Sequence, residues 1–203
     1  MGNTNVKAAV AAKGAEEEGR SASGVAELVK AAAIALALAL FIRTFMFQPF
    51  KIPSGSMLQT LMVGDHLLVN KMVYLFSPPE RGDIIVFRPP HEPDKDFVKR
   101  VIGLPGETIS MRNDTVYVNG KALNEPYASY ERLYGRGSLP GFEAKKVPEG
   151  HLFMMGDNRN NSQDSRVWGF LDIDSVHGKA FIIHWSWNGG GFDVRFNRVG
   201  KLL

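Results

Sequence analysis

Asp96-Phe97-Val98-Lys99-Arg100-Val101-Ile102-Gly103-Leu104-Pro105-Gly106 is the stretch from which the architecture can be read. Alternation with a period of two puts Phe97, Lys99 and Val101 on one face of a strand and Val98, Arg100 and Ile102 on the other, and Pro105-Gly106 then turns the chain. Each face therefore carries one basic group among apolar neighbours. One reading is an edge strand whose charges reach out to water and discourage aggregation. The other is a buried lysine. Burial disfavours the ammonium and lowers its pKa from ~10.4 by several units, which turns lysine into a usable general base, whereas arginine stays protonated.

Working outward, the same short-strand pattern recurs. His66–Lys71, Asp83–Arg88, Thr108–Arg112, Thr115–Val118, His151–Met155 and Lys179–Trp185 are each rich in β-branched or aromatic residues. Turn signals separate them: Pro78-Pro79-Glu80-Arg81-Gly82, Pro89-Pro90, Asn113-Asp114, Asn119-Gly120 and Pro148-Glu149-Gly150. No amphipathic helical repeat of useful length follows residue 61. Residues 48–203 are therefore expected to form an all-β domain of antiparallel sheets, partly barrel-like. A hairpin at 113–120 and a long excursion at 124–146 place a small β-ribbon subdomain at about 108–150.

Upstream the character changes. From Val25 to about Phe47 the only charges are Glu27, Lys30 and Arg43, and residues 31–42 carry none. That uncharged run rises only ~18 Å as a helix against ~30 Å of hydrocarbon, so Lys30 and Arg43 must snorkel or the bilayer must thin. A cleaved secretory signal has an apolar core of similar length. Against that reading, the leader before Ala31 is long and carries four acids, and the segment runs on through Phe41-Ile42-Arg43-Thr44-Phe45-Met46-Phe47 without a small-x-small cleavage site. A retained transmembrane anchor at 25–47 is expected, preceded at 1–24 by a disordered tail too poor in apolar periodicity to repay its ordering. Lys7, Lys13, Arg20 and Lys30 precede the helix while Arg43 and Lys51 closely follow it, so charge encodes orientation only weakly and the tail is assigned to the cytoplasmic side. The chain has 203 residues, 24 Lys and Arg against 21 Asp and Glu, a net charge of +3 and no cysteine. No Lys/Arg block tracks phosphates, so nucleic acid is not an expected partner, and covalent catalysis would need an oxygen or an amine.

Where the apolar segment stops, Pro49-Phe50-Lys51-Ile52-Pro53-Ser54-Gly55-Ser56-Met57-Leu58-Gln59-Thr60-Leu61 begins. Pro53 fixes its own φ and pushes Ile52 towards an extended conformation, while Gly55 permits backbone angles that a side chain forbids. Two serines held in such a turn could supply a nucleophile and a nearby donor; the plainer reading is a flexible linker. A third segment, Gly156-Asp157-Asn158-Arg159-Asn160-Asn161-Ser162-Gln163-Asp164-Ser165-Arg166, is a polar loop suited to a dense side-chain to backbone network. A calcium loop would need the central Gly and terminal Glu of an EF-hand, and the two arginines oppose a cation, so no metal is expected. The histidines show no HExxH or close-pair spacing, and no G-x-S-x-G elbow supports a Ser-His-Asp triad.

Together these segments resemble the type I signal peptidase family, membrane-bound Ser/Lys proteases that remove signal peptides from exported proteins. Ile52 to Met57 with Thr60-Leu61 is similar to the family's nucleophile box, Val98 to Gly106 to its lysine box, and Gly156 to Arg166 to its acidic-loop box. The resemblance runs from about Leu28 to Trp187. It implies Ser56 as nucleophile, Lys99 as general base, and Ser54 as an oxyanion-hole donor beside the Ser56 amide. It further implies that Ser162 orients the Lys99 amine and that Asp164 and Arg166 pair to hold the site. Ile52, Pro53, Met57, Leu61, Phe97 and Val98 match pocket walls for small residues at the first and third positions before the cut. Gln59 stands where the family usually has proline, a departure that bears on loop rigidity. No metal or organic cofactor is implied.

The partners implied are preprotein signal peptides and the lipid bilayer, with the catalytic domain on the outer face of a bacterial cytoplasmic membrane. A self-cleaving repressor of the Ser/Lys type would carry a DNA-binding module that residues 1–47 do not resemble. A non-enzymatic tethered β-domain would leave the three boxes as coincidence, and a peptidase dedicated to one client would read the same. Phe45, Phe47, Phe50 and Ile52 at one end of the domain, and Trp185, Trp187 and Phe192 at the other, are expected to meet at the bilayer surface; alternatively the two tryptophans pack on the β core.

Overall fold

The computed structural model describes residues 27–92, 94–130, 140–188 and 193–203, so the expected tail at 1–24, part of the 124–146 excursion and Phe192 lie outside it. The chain divides into two compact units at Phe45/Met46. The first contains, up to Phe45, helix α1, Glu27–Met46, long and apolar enough to cross a bilayer. Its last residues, Ile42–Met46, take the wider π-helical form.

The second unit is built from antiparallel strands. In chain order they are β1 Phe47–Lys51, β2 Asp65–Asn70, β3 Ile84–Phe87, β4 Phe97–Gly103, β5 Thr108–Arg112, β6 Thr115–Val118, β7 Lys121–Ala122, β8 Phe142–Lys146, β9 His151–Met155, β10 Leu171–Asp172 and β11 Val176–Ser186, with a single helical turn, α2 Ser165–Trp168, before β10. Seven strands form a half-barrel sheet in the order β1-β2-β11-β3-β4-β9-β10, and the others form a four-stranded sheet, β7-β6-β5-β8. Register shifts in β11, opposite Leu68 and His66 of β2 and Phe87 of β3, supply bulges that strengthen twist and bend the larger sheet.

Burial follows from sheet position. β2 is half-buried with period two, Asp65, Leu67 and Val69 facing in, whereas all of β3 and β4 from Val98 onward are buried because both strands lie inside the sheet. Lys99 and Arg100 are therefore both interior, which overturns the edge-strand reading of their charges. Ile102, Ile109, Met111, Val116, Phe153 and Met155 pack into one cluster, so the core runs continuously from the larger sheet into the smaller. β1 is a true edge strand that pairs only with β2, and it tolerates Pro49 for that reason.

One consequence positions the site. β9 pairs with β4 only as far back as Arg100, so the backbone of Phe97–Lys99 has an open edge on that side. Residues 50–57, leading away from β1, line the facing wall of the cleft so formed.

Candidate active site

Ser56 rides on the loop between β1 and β2. The loop is cinched at its base, where Ile52 N donates to Asp65 O at 2.8 Å and Gly64 N to Ile52 O at 3.0 Å, and a turn within it is closed by Leu61 N donating to Met57 O at 2.8 Å. Met57 and Leu61 plug the loop into the core below. Gln59 has φ of 56°, in the left-handed region that a proline ring, fixed near −65°, cannot enter. The departure from proline is thus a matter of backbone shape as well as stiffness.

Lys99 approaches from β4. Its Nζ lies 2.7 Å from Ser56 Oγ and donates to Val98 O at 3.0 Å. The residue is 4% exposed. Burial lowers the amine from its ordinary 10.5 to about 8, against the upward pull of the Asp164 and Asp157 carboxylates. Ser54 Oγ lies 3.5 Å from Ser56 Oγ. At pH 7 about one lysine in ten is then neutral, some three hundred times the fraction of a free side chain.

The polar loop after β9 braces the Ser56 turn. Asn158 N donates to Ser56 O at 3.1 Å, and Asn158 Nδ2 to Gly55 O at 3.0 Å. Gly156 makes this fit possible, because a Cβ there would stand 2.3 Å from Ser162 Oγ and 2.4 Å from Ser56 O. Asp164 is buried and receives Arg166 Nε and Nη2, each at 2.8 Å, and Gly156 N at 3.0 Å. Ser162 lines the cleft, but its Oγ is buried without a hydrogen-bond partner, and the Lys99 amine is engaged by Val98 O and Ser56 Oγ instead.

The cleft encloses about 880 Å³ and is lined by Ile52, Pro53, Met57, Phe97 and Val98 together with Ser54, Ser56, Lys99 and Ser162. Leu61, expected among its walls, is fully buried in the core behind it. It shares a core cluster with the wall residues Ile52, Met57 and Val98 and so backs the pocket without lining it.

Several supporting residues escaped the sequence reading. Arg100, on the opposite face of β4 from Lys99, clamps Asp157 through Nε at 2.9 Å and Nη2 at 2.6 Å, and Thr60 Oγ1 donates to the same carboxylate at 2.6 Å. Arg159 is fully buried and donates to Glu125 at 2.8 and 2.5 Å. The one available signal was the presence of arginines among acids in the polar loop. Partner identity was hidden because Arg100 and Asp157 lie 57 positions apart. Each of Asp157 and Asp164 is occupied by a guanidinium, which suits an internal network.

A family profile described as signal peptidase, peptidase S26, matches residues 25–185. The probable signal peptidase I-1 of Synechocystis sp. is 48% identical over 154 residues, covering 72% of this chain and 76% of that protein. The signal peptidase I of Leptolyngbya laminosa is 40% identical over 198 residues, covering 94% of this chain and 90% of its own length. That of Aquifex aeolicus is 40% identical over 202 residues, covering 72% and 79%. Residues 186–203 lie beyond the segment the profile matches.

Proposed function

The chain belongs to the type I signal peptidases of the peptidase S26 family, membrane-anchored serine endopeptidases, and from that premise we propose that it cleaves preproteins with Ser56 as nucleophile and Lys99 as general base. The observation that carries the assignment is the 2.7 Å approach of a buried amine, lowered to about 8, to a serine hydroxyl. Neutral Lys99 accepts the Ser56 proton as Oγ attacks the scissile carbonyl. The Ser56 amide and the Ser54 hydroxyl face the oxygen that becomes negative; a donor of this kind is commonly worth ~3–4 kcal/mol. The protonated lysine then gives its proton to the leaving amine. The acyl-enzyme is released when Lys99 takes a proton from water attacking the ester carbonyl. Ser162, lining the same cleft, is the residue assigned by resemblance to orienting the amine, with Asp164 and Arg166 holding the loop that carries it.

The substrate enters as an extended strand. The open edge at Phe97–Lys99 offers main-chain hydrogen bonds to a peptide laid along it. Ile52, Pro53, Met57, Phe97 and Val98 then form apolar walls that accept small side chains before the cut. We place the catalytic unit at the outer face of a bacterial cytoplasmic membrane with the N-terminus inside. Trp185 and Trp187, each 38% exposed, are free to meet lipid, whereas Ile52 is buried and does not. Incubating the detergent-solubilised protein with a preprotein should yield one new N-terminus, after a small-x-small sequence. Ser56→Ala, Lys99→Ala and Lys99→Arg should each abolish it, the last because guanidinium does not deprotonate. Cleavage persisting in Ser56→Ala or Lys99→Ala overturns the assignment.

A further inference from the structure

The residues after β11 take no part in the chemistry above, yet two of their arginines grip the loop that carries Ser56. Asp65, fully buried at the foot of that loop, is the anchor. Its carboxylate accepts from Met62 N at 2.8 Å, Ser186 Oγ at 2.6 Å, and Arg198 Nε and Nη2 at 3.0 and 2.5 Å. Arg198 Nη2 also donates to Thr60 O at 2.9 Å. Arg195 Nε donates to Ser186 Oγ at 2.8 Å, and its Nη2 to Val63 O at 2.7 Å and Trp187 O at 2.9 Å. Gly64 lets the two segments close, since a Cβ there would stand 2.1 Å from Trp187 O.

We propose that Arg195 and Arg198 are positioning residues for the cleavage reaction, holding the Thr60–Gly64 arm of the nucleophile loop so that Ser56 stays within proton-transfer reach of Lys99. This rests on the assignment of those two residues as the reacting pair. An ion pair serving stability alone would need only the Asp65 carboxylate. Here Nη2 of each arginine also donates to a loop carbonyl, Thr60 O from Arg198 and Val63 O from Arg195. Thr60 is held from both sides, its carbonyl by Arg198 and its hydroxyl by Asp157, the residue that Arg100 clamps beside Lys99. The turn from Met57 to Leu61 carries any movement of Thr60 back to Ser56. Lys99 sits on an interior strand and cannot follow.

Lysine keeps the charge but lacks the planar fork that serves a carboxylate and a carbonyl together. In the full-length protein in detergent, Arg198→Lys and Arg195→Lys should each lower kcat for a preprotein about tenfold. KM should stay within twofold, because the cleft walls are untouched, and the melting temperature should stay within about 3 °C. The proposal is overturned by kcat within twofold of native in both variants, or by losses that only track the unfolded fraction. Should Arg198→Lys fail to fold, Arg195→Lys decides, since it leaves Arg198 on Asp65. Native protein that leaves the preprotein intact refutes the peptidase assignment itself, a separate failure.

Discussion

Replacing Lys99 by methionine should kill the enzyme and make it more stable at neutral pH. Holding the amine at about 8 instead of its ordinary 10.5 means that burying the ammonium costs about 3 kcal/mol at 1.36 kcal/mol per pH unit. Methionine fills a similar volume without a charge. Against this gain stand the bonds that the amine makes to Val98 O and Ser56 Oγ, about 1 kcal/mol each. The expected balance at pH 6 is about 1 kcal/mol in favour of Lys99→Met, or about 2–4 °C in melting temperature. Between pH 8 and 10.5 the unfolded lysine binds a proton that the folded one does not. Native stability therefore gains with rising pH in that window, and the variant's advantage should be gone by about pH 9.5. Thermal unfolding of both proteins across this range is the assay. A variant that melts below native from pH 6 to 8, or a difference that stays constant up to pH 9.5, would refute the reasoning.

The same lowered amine should make kcat/KM rise about tenfold per pH unit below 8 and level off above it, and a flat profile from pH 6 to 9 argues against a lysine base. Gly156→Ala must displace Ser56 O or Ser162, so activity should fall about a hundredfold or more, measured on preprotein at matched folded fraction. Gln59→Gly should raise stability by about 1 kcal/mol by relieving the left-handed strain, read from denaturant midpoints; a decrease would mean that the Gln59 side chain holds the loop.

The strands that could be read from the sequence are those whose burial alternates or saturates. Thr108–Arg112, Thr115–Val118 and His151–Met155 coincide with β5, β6 and β9. β1 was illegible because Phe47-Gln48-Pro49-Phe50-Lys51 holds a proline and continues an apolar helix. Only its position at the sheet edge makes it a strand. β8, Phe142–Lys146, is nearly all exposed, so no hydrophobic period announces it. In the site, Ser56 and Lys99 were picked out by the resemblance of their two segments to family boxes; the absence of cysteine narrowed the chemistry to an oxygen or an amine without naming a residue. The pairing of Arg100 with Asp157, or of Arg198 with Asp65, is decided by tertiary closure, to which local propensity is blind.

β11 lies between β2 and β3, two strands that follow one another in the chain yet never touch in the sheet. A ribosome or a translocation channel delivering the chain from its N-terminus therefore supplies Ser56 and Lys99 long before the strand that joins their halves of the sheet. Because non-local pairings come late and slowly, the half of the sheet that carries Ser56 and the half that carries Lys99 stay unjoined on the growing chain until β11 pairs with both. The strand order thus acts as a timer: Ser56 and Lys99 meet only after β11 has been delivered.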